Sequence, residues 1–192
     1  MTKRREFNTI YVTRYMGAKY KLLDLIVPVI EELLKPGETL IDLMAGTHAV
    51  GYALKSRNLI VANDIQYYSE IFGRALISNK SCLNLRSQCA KDFSDLKPQN
   101  FLNSWFVKTY GDTYFSKTQC AEIAAIRSQI SEISNRDAKY LYLSVLANAM
   151  SLCQSSSGHF AQYFPKDHPR LKSLRAMSVF KEFMQRCEEI EV

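Results

Sequence analysis

Apolar side chains recur at three- and four-residue steps from Leu22 to Leu34, at Leu22, Leu23, Ile26, Val29, Ile30, Leu33 and Leu34. That spacing predicts a helix with one apolar stripe. Lys35-Pro36-Gly37 predicts its end, since proline cannot continue a helix and glycine readily takes the left-handed exit. The period then changes. Thr39 to Met44 is a short apolar run, read as a buried strand. Ala45-Gly46-Thr47 turns the chain, and Ala49 to Lys55 reads as a second helix. Leu59 to Asp64 is a second buried strand, and Gln66 to Ser78 a third helix. Helix, strand, turn, helix, strand, helix is how a parallel α/β sheet begins.

The later chain reads as mostly helical. Ser116-Lys117-Thr118-Gln119 has the form of a capping box, opening a helix with Ile123, Ile126, Ile130 and Ile133 inward. Asp137 to Leu152 is another helix, apolar at Leu141, Val145, Ala149 and Leu152. From Gln154 to Arg175 the pattern is loop-like, rich in Ser, His and Pro. Met177 to Cys187 closes as an amphipathic piece before the acidic residues Glu188, Glu189 and Glu191. No repeat interrupts this order.

Two acids at the expected strand ends change the picture from fold to chemistry. Asp42 stands in Ile41-Asp42-Leu43-Met44-Ala45-Gly46-Thr47-His48-Ala49-Val50-Gly51, and Asp64 follows Asn63 at the end of the second strand. Ligands of open α/β sheets lie outside the carboxyl ends of the strands. A turn of small residues lets a ligand approach backbone amides there, and the next helix start adds positive potential. An acid roughly 20 residues further on suits a ribose diol. The plainer alternative is that Asp42 caps a turn and Asp64 caps a helix. No GxGxxG is present, only Gly46 and Gly51, and no GxxxxGK[ST]. A nucleotide-like ligand without a pyrophosphate fits better, and S-adenosyl-L-methionine is the common one.

Composition adds exclusions. Five cysteines (Cys82, Cys89, Cys120, Cys153, Cys187) show no CxxC spacing, and His48, His159 and His168 show no metal-ligand spacing. Free thiols in a reducing cytoplasm are therefore expected, and no metal site. No apolar run approaches the roughly 20 residues of a membrane span, and no apolar segment follows the basic start, so neither a membrane anchor nor a signal peptide is expected. Net charge is +6. From Phe93 to Cys187 there are 12 Lys/Arg against 7 Asp/Glu, and Lys3, Arg4 and Arg5 cluster at the start. A basic face suits a polyanion, and equally an ordinary solvated surface.

At this point the sequence resembles a known family. Asp42 to Gly51 looks like the methyltransferase pattern D-L-F-A-G-T-G-x-V-G, and Asn63-Asp64 like its N-D motif. Arg14-Tyr15-Met16-Gly17-Ala18-Lys19-Tyr20-Lys21-Leu22 is similar to the R-Y-x-G-[SG]-K-x-x-L segment upstream. That order resembles the Dam-type (alpha-group) N6-adenine DNA methyltransferases, in their N-terminal half. Tyr110 to Ser116, Ala121 to Arg127, and Ser157 through Tyr163 are similar to the family's helical insert and the loop after it.

The resemblance implies an α/β fold: a partial Rossmann-like sheet binding S-adenosyl-L-methionine over residues 1–92, and a mostly helical, target-recognition-like region over 93–192. Tyr15, Gly17 and Lys19 would lie near the cofactor, with Lys19 reaching the methionine or holding the loop. The Asp42 motif would take the methionine end, with Ala45, Gly46 and Thr47 as its turn. Asp64 would bind the ribose and Ile65 flank the adenine. Asp92-Phe93 stands where an adenine-cradling motif belongs. Double-stranded DNA would meet basic side chains (Lys3, Arg4, Arg5, Lys166, Arg170, Lys172) and His159 in the serine-rich loop.

Two departures matter. Met44 replaces the pattern's phenylalanine, a soft apolar exchange. His48 replaces its second glycine, and a need for positive φ or close ligand approach there would oppose cofactor binding. The family's catalytic tetrapeptide [DNS]-P-P-[YFW] would hold the adenine amine in line with the methyl group and stack on the flipped base. The five prolines (Pro28, Pro36, Pro98, Pro165, Pro169) include no adjacent pair, so the tetrapeptide is absent. In the resemblance the strand at Leu40–Met44 is central, and its other neighbour carries that tetrapeptide. A buried strand with an open edge aggregates or finds a partner. The expectation is a split DNA adenine N6-methyltransferase, inactive without a second chain that forms a heterodimer with this one. A methyltransferase-like subunit that binds DNA or a partner without catalysis is the alternative, and a fragment of a longer enzyme is another.

Overall fold

The computed structural model describes residues 19–78, 85–157, 160 and 162–189. A 3-10 turn, Lys19–Leu22, leads into helix α1 (Leu23–Leu33). Strand β1 (Thr39–Asp42), helix α2 (Ala49–Leu54), strand β2 (Leu59–Ala62) and helix α3 (Tyr67–Leu76) follow. The strands pair in parallel, Thr39 with Leu59 through Asp42 with Ala62. Helices α4 (Leu85–Asp92), α5 (Trp105–Tyr110), α6 (Lys117–Glu132), α7 (Arg136–Cys153), α8 (Leu171–Ala176) and α9 (Val179–Glu189) make up most of the remainder. The described chain is thus mostly helical with one small parallel sheet. Among the described residues no helix is long and apolar enough to cross a membrane.

Two apolar cores result. The smaller is Leu23, Val27, Val50 and Leu54, with Leu40 and Ile60 packed against them, so α1 and α2 cover one face of the strand pair. The buried side of α1 runs through Leu23 and Val27. Val29 and Leu33, expected inward, are exposed, and with Leu25 they form a second apolar stripe facing solvent. The larger core joins Phe72 of α3, Cys89 of α4 and Phe93 to Ile126, Leu141, Tyr142, Val179 and Phe183. Phe93 sits edge-on to both Tyr142 and Phe183, at ring-centroid separations of 5.1 and 4.8 Å.

The strands are not buried as expected. Side chains alternate along a strand, and only Leu40 and Ile60 point to the α1–α2 layer. Ile41, Leu59 and Val61 point the other way and are 60%, 63% and 47% exposed. The reason is direction: α3 leaves the sheet and packs on α7 instead of covering this face.

Local signals in the helical part act as the sequence predicts. Ser116 Oγ accepts the Gln119 amide, and Gln119 Oε1 accepts the Ser116 amide, completing the capping box of α6. The run after α7 is less loop-like than its composition suggests. Gln154, Ser155 and Ser156 are buried. The Ser155 amide donates to the Tyr114 carbonyl and the Phe164 amide donates to Ser155, both at 2.7 Å. Cys89, Cys120, Cys153 and Cys187 are free and buried. Burial pushes the Cys120 and Cys153 thiols up to about 12.

Candidate cofactor site

The carboxyl ends of β1 and β2 lie side by side because the strands are parallel and in register. Asp42 ends β1. Its Oδ1 accepts the Met44 amide at 3.3 Å, which starts the turn. The turn is tied to the neighbouring strand end: the Ala45 amide donates to the Asn63 carbonyl at 3.0 Å, and Asn63 Nδ2 donates to the Leu43 carbonyl at 3.1 Å. Lys19 Nζ donates to the Met44 carbonyl at 2.7 Å. Of the two roles expected for Lys19, the geometry has it holding the loop.

Asp64 closes the arrangement. One carboxylate oxygen accepts the Gly46 amide at 2.7 Å and the other the Gln66 amide at 2.9 Å. These amides, that of Gln66 first, hold the carboxyl below its ordinary range. Each oxygen keeps a second lone pair that can accept a hydroxyl.

A hollow of about 390 Å³ opens between the two tips, a size that suits a small-molecule ligand. Lys19, Ala45, Gly46, Thr47, Asp64 and Ile65 line it, so six of the expected cofactor residues are brought together. Gly46 has φ +55°, and a Cβ built on it would meet nothing within 4 Å. The space where a side chain would stand is open, so a ligand can come close to the backbone there, although the Gly46 amide itself is held by Asp64. Ile65 is 95% exposed, an apolar side chain presented to the mouth of the hollow.

Other expected residues stand elsewhere. Asp42 lies beneath the turn and does not line the hollow. Asp92 accepts the Tyr142 hydroxyl at 2.8 Å and Gln88 Nε2 at 2.8 Å, and it lines a separate hollow between α4, α6 and α7. Burial first, then this bond, raises the Tyr142 phenol. Phe93 is in the large core. Tyr15 and Gly17 lie outside the described residues, as do Lys3, Arg4, Arg5 and His159. Lys166, Arg170 and Lys172 are exposed along one segment. That segment is braced by His168, whose ring stacks on Phe164 at 3.7 Å and whose Nδ1 accepts the Arg170 amide.

Met44 and Ala49, from the Asp42 motif, also line the hollow, as do Gln66 and Tyr68, which were not expected. Gln66 and Tyr68 follow Asp64 at the start of α3, and an aromatic side chain so soon after the strand-end acid was the readable signal. His48 is the larger surprise. It takes the left-handed conformation, φ +60° and ψ 22°, that its position demands, and its ring turns away from the hollow into α3. The feared obstruction is absent from the lining.

The D12 class N6 adenine-specific DNA methyltransferase family model matches residues 15–190. The Type II methyltransferase M2.HphI of Haemophilus parahaemolyticus is 28% identical over 137 residues, 71% of this chain and 39% of that protein. The modification methylase LlaI of Lactococcus lactis subsp. lactis is 34% identical over 102 residues, 53% of this chain and 14% of that protein. The Type II methyltransferase M.FokI of Planomicrobium okeanokoites is 28% identical over 177 residues, 78% of this chain and 26% of that protein. The chain thus spans well under half the length of these relatives. No solved structure matches it.

Proposed function

This chain belongs to the D12 class N6 adenine-specific DNA methyltransferase family, and from that premise we propose that it binds S-adenosyl-L-methionine between the tips of β1 and β2 as one part of a DNA adenine N6-methyltransferase. The carrying observation is the hollow that gathers Lys19, Gly46, Thr47, Asp64 and Ile65. The residues fit the cofactor. Asp64 keeps acceptor capacity for a ribose diol, the open space at Gly46 admits a ligand to the backbone, and Ile65 offers an apolar surface for a base. When bound, the cofactor supplies a methyl group on a sulfonium.

This chain's residues would bind and orient that donor. They do not supply the group that holds the adenine, since no Pro-Pro pair exists among its five prolines. A polypeptide carrying [DNS]-P-P-[YFW] is needed, and we assign that role to a second chain in a heterodimer. Two features support the assignment. β1 is bonded to β2 alone within the described sheet, so its other edge is open. The sheet face at Ile41, Leu59 and Val61 is exposed and apolar. A strand beside β1 with a helix over this face would cover both. Double-stranded DNA would meet Lys166, Arg170 and Lys172, and Lys3, Arg4, Arg5 and His159 are retained as candidate contacts. We place the complex in the cytoplasm.

Calorimetry with S-adenosylhomocysteine, alongside a DNA methylation assay, tests this. Binding by the chain, with methylation only after addition of a tetrapeptide-bearing partner, is expected. Methylation by the chain alone would refute the split. No binding by the chain or the complex would instead favour a methyltransferase-like subunit without catalysis.

A further inference from the structure

His48 sits at the start of α2, one residue after the hollow-lining Thr47, and is only 4% exposed. Its Nε2 lies 2.7 Å from the Ser69 carbonyl and 3.0 Å from the Ser69 hydroxyl. A carbonyl can only accept, so Nε2 carries the proton and the neutral ring leaves Nδ1 as a lone pair. Nδ1 is buried and has no partner. Ser69 follows Tyr68, which forms another wall of the hollow. The imidazole therefore spans from one wall to the other.

The space for this ring is made by Gly73, one helical turn after Ser69. A Cβ at Gly73 would lie 2.8 Å from His48 Cε1 and 3.0 Å from Nε2. Glycine within a helix costs about 0.5–1 kcal/mol relative to alanine, and left-handed φ disfavours histidine at 48. Two locally unfavourable residues thus meet at one contact, and together they allow a buried bond that neither a glycine at 48 nor an alanine at 73 would permit.

We propose that His48 is a positioning residue for the cofactor hollow, its imidazole clamping the Ala45–Thr47 turn to α3 so that the turn and the Tyr68 wall hold a fixed separation. This rests on the cofactor reading of the hollow. The clamp requires neutral imidazole, because a proton on Nδ1 would be buried without an acceptor. Desolvation lowers the His48 pKa from its ordinary 6.5, and Lys19 adds to that. The Ser69 carbonyl, Asp42 and Asp64 oppose it, more weakly. On α3, Ser69 bonds the ring and Gly73 lies against it.

The test titrates S-adenosylhomocysteine into the full chain, comparing wild type, His48→Gly, Gly73→Ala and the double variant. His48→Gly relieves backbone strain and keeps the fold, yet should weaken binding roughly tenfold, the worth of one buried hydrogen bond. Gly73→Ala should weaken it similarly by displacing the ring. The double variant should be no weaker than His48→Gly, since both remove one contact. Wild-type affinity should fall only as pH drops through the His48 value, which lies below 6.5, and His48→Gly should lack that fall. Melting gives a cofactor-independent readout: Gly73→Ala should lower Tm in wild type and raise it in the His48→Gly background. Wild-type affinity in His48→Gly, or additive losses, would overturn the positioning role. Absence of binding by wild type would refute the cofactor reading itself, and a Gly73→Ala effect of the same sign in both backgrounds would refute the clamp.

Discussion

The Asp64 carboxylate accepts the Gly46 amide at 2.7 Å across 18 residues of sequence, tying the turn after β1 to the end of β2. Asp64→Asn keeps the side-chain volume but has one acceptor oxygen for two backbone amides. We expect it to fold and to bind S-adenosylhomocysteine at least tenfold more weakly by calorimetry. The sign of the pH effect follows from the lowered pKa. The ionised form is favoured in the fold, so its contribution is complete above the ordinary value of 3.8 and is lost only as pH falls through the lower folded value. Any change in binding between pH 7.5 and 5.5 therefore belongs to another group.

The buried Gln119 amide does three jobs. Its oxygen caps α6, and its nitrogen donates to the Leu174 carbonyl at 2.8 Å and the Met177 carbonyl at 2.9 Å. Gln119→Glu keeps the cap and loses both donors. Leaving buried carbonyls unpaired costs on the order of 1–3 kcal/mol each. Urea denaturation should show Gln119→Glu destabilised by about 2 kcal/mol or more with the m-value unchanged.

Ile41 and Val61 stand on the uncovered face of the strand pair. Substituting lysine at both should change the stability of the isolated chain by no more than about 0.5 kcal/mol per site, because exposed positions rarely carry more. In the proposed heterodimer the same lysines would be buried unpaired. Co-purification with the tetrapeptide-bearing chain should then be lost. Retained assembly would show that this face is not the docking surface.

How much of this was legible in the sequence differs by region. The helix and strand order from Leu22 to Ser78 could be read because period and punctuation agree: Pro36-Gly37 and Gly46 break the chain where the structure turns. The exposure of Ile41 and Val61 was not, since a run of apolar residues looks the same whether one face or both are covered. α4 was missed for a related reason. Its sequence, Leu85 to Asp92, is largely polar and carries no stripe, and it is held through Cys89 and its contact with α9. Asp92-Phe93 looked like a cofactor motif on two letters, and the structure engages both residues in packing with Tyr142. Within the hollow, the residues placed by strand ends were found. Tyr68 and Gln66 were not: the aromatic residue close behind the strand-end acid was the available signal, but the direction α3 takes decides whether it reaches the hollow.

Lys166, Arg170 and Lys172 lie on a braced, exposed segment. Replacing all three by alanine should weaken binding to any DNA duplex to a similar degree. If each meets a phosphate, the slope of log K against log salt should shrink by about 2.7, from roughly 0.9 per contact. An unchanged slope would remove this segment from the DNA interface.

The contact between His48 and Gly73 also constrains the order in which such a chain can change. An imidazole arriving at 48 while a side chain stands at 73 would find its place taken, whereas losing the side chain at 73 first costs only helix propensity. Glycine at 73 is then the permissive step and histidine at 48 the dependent one. Once the histidine is seated, the glycine can no longer revert.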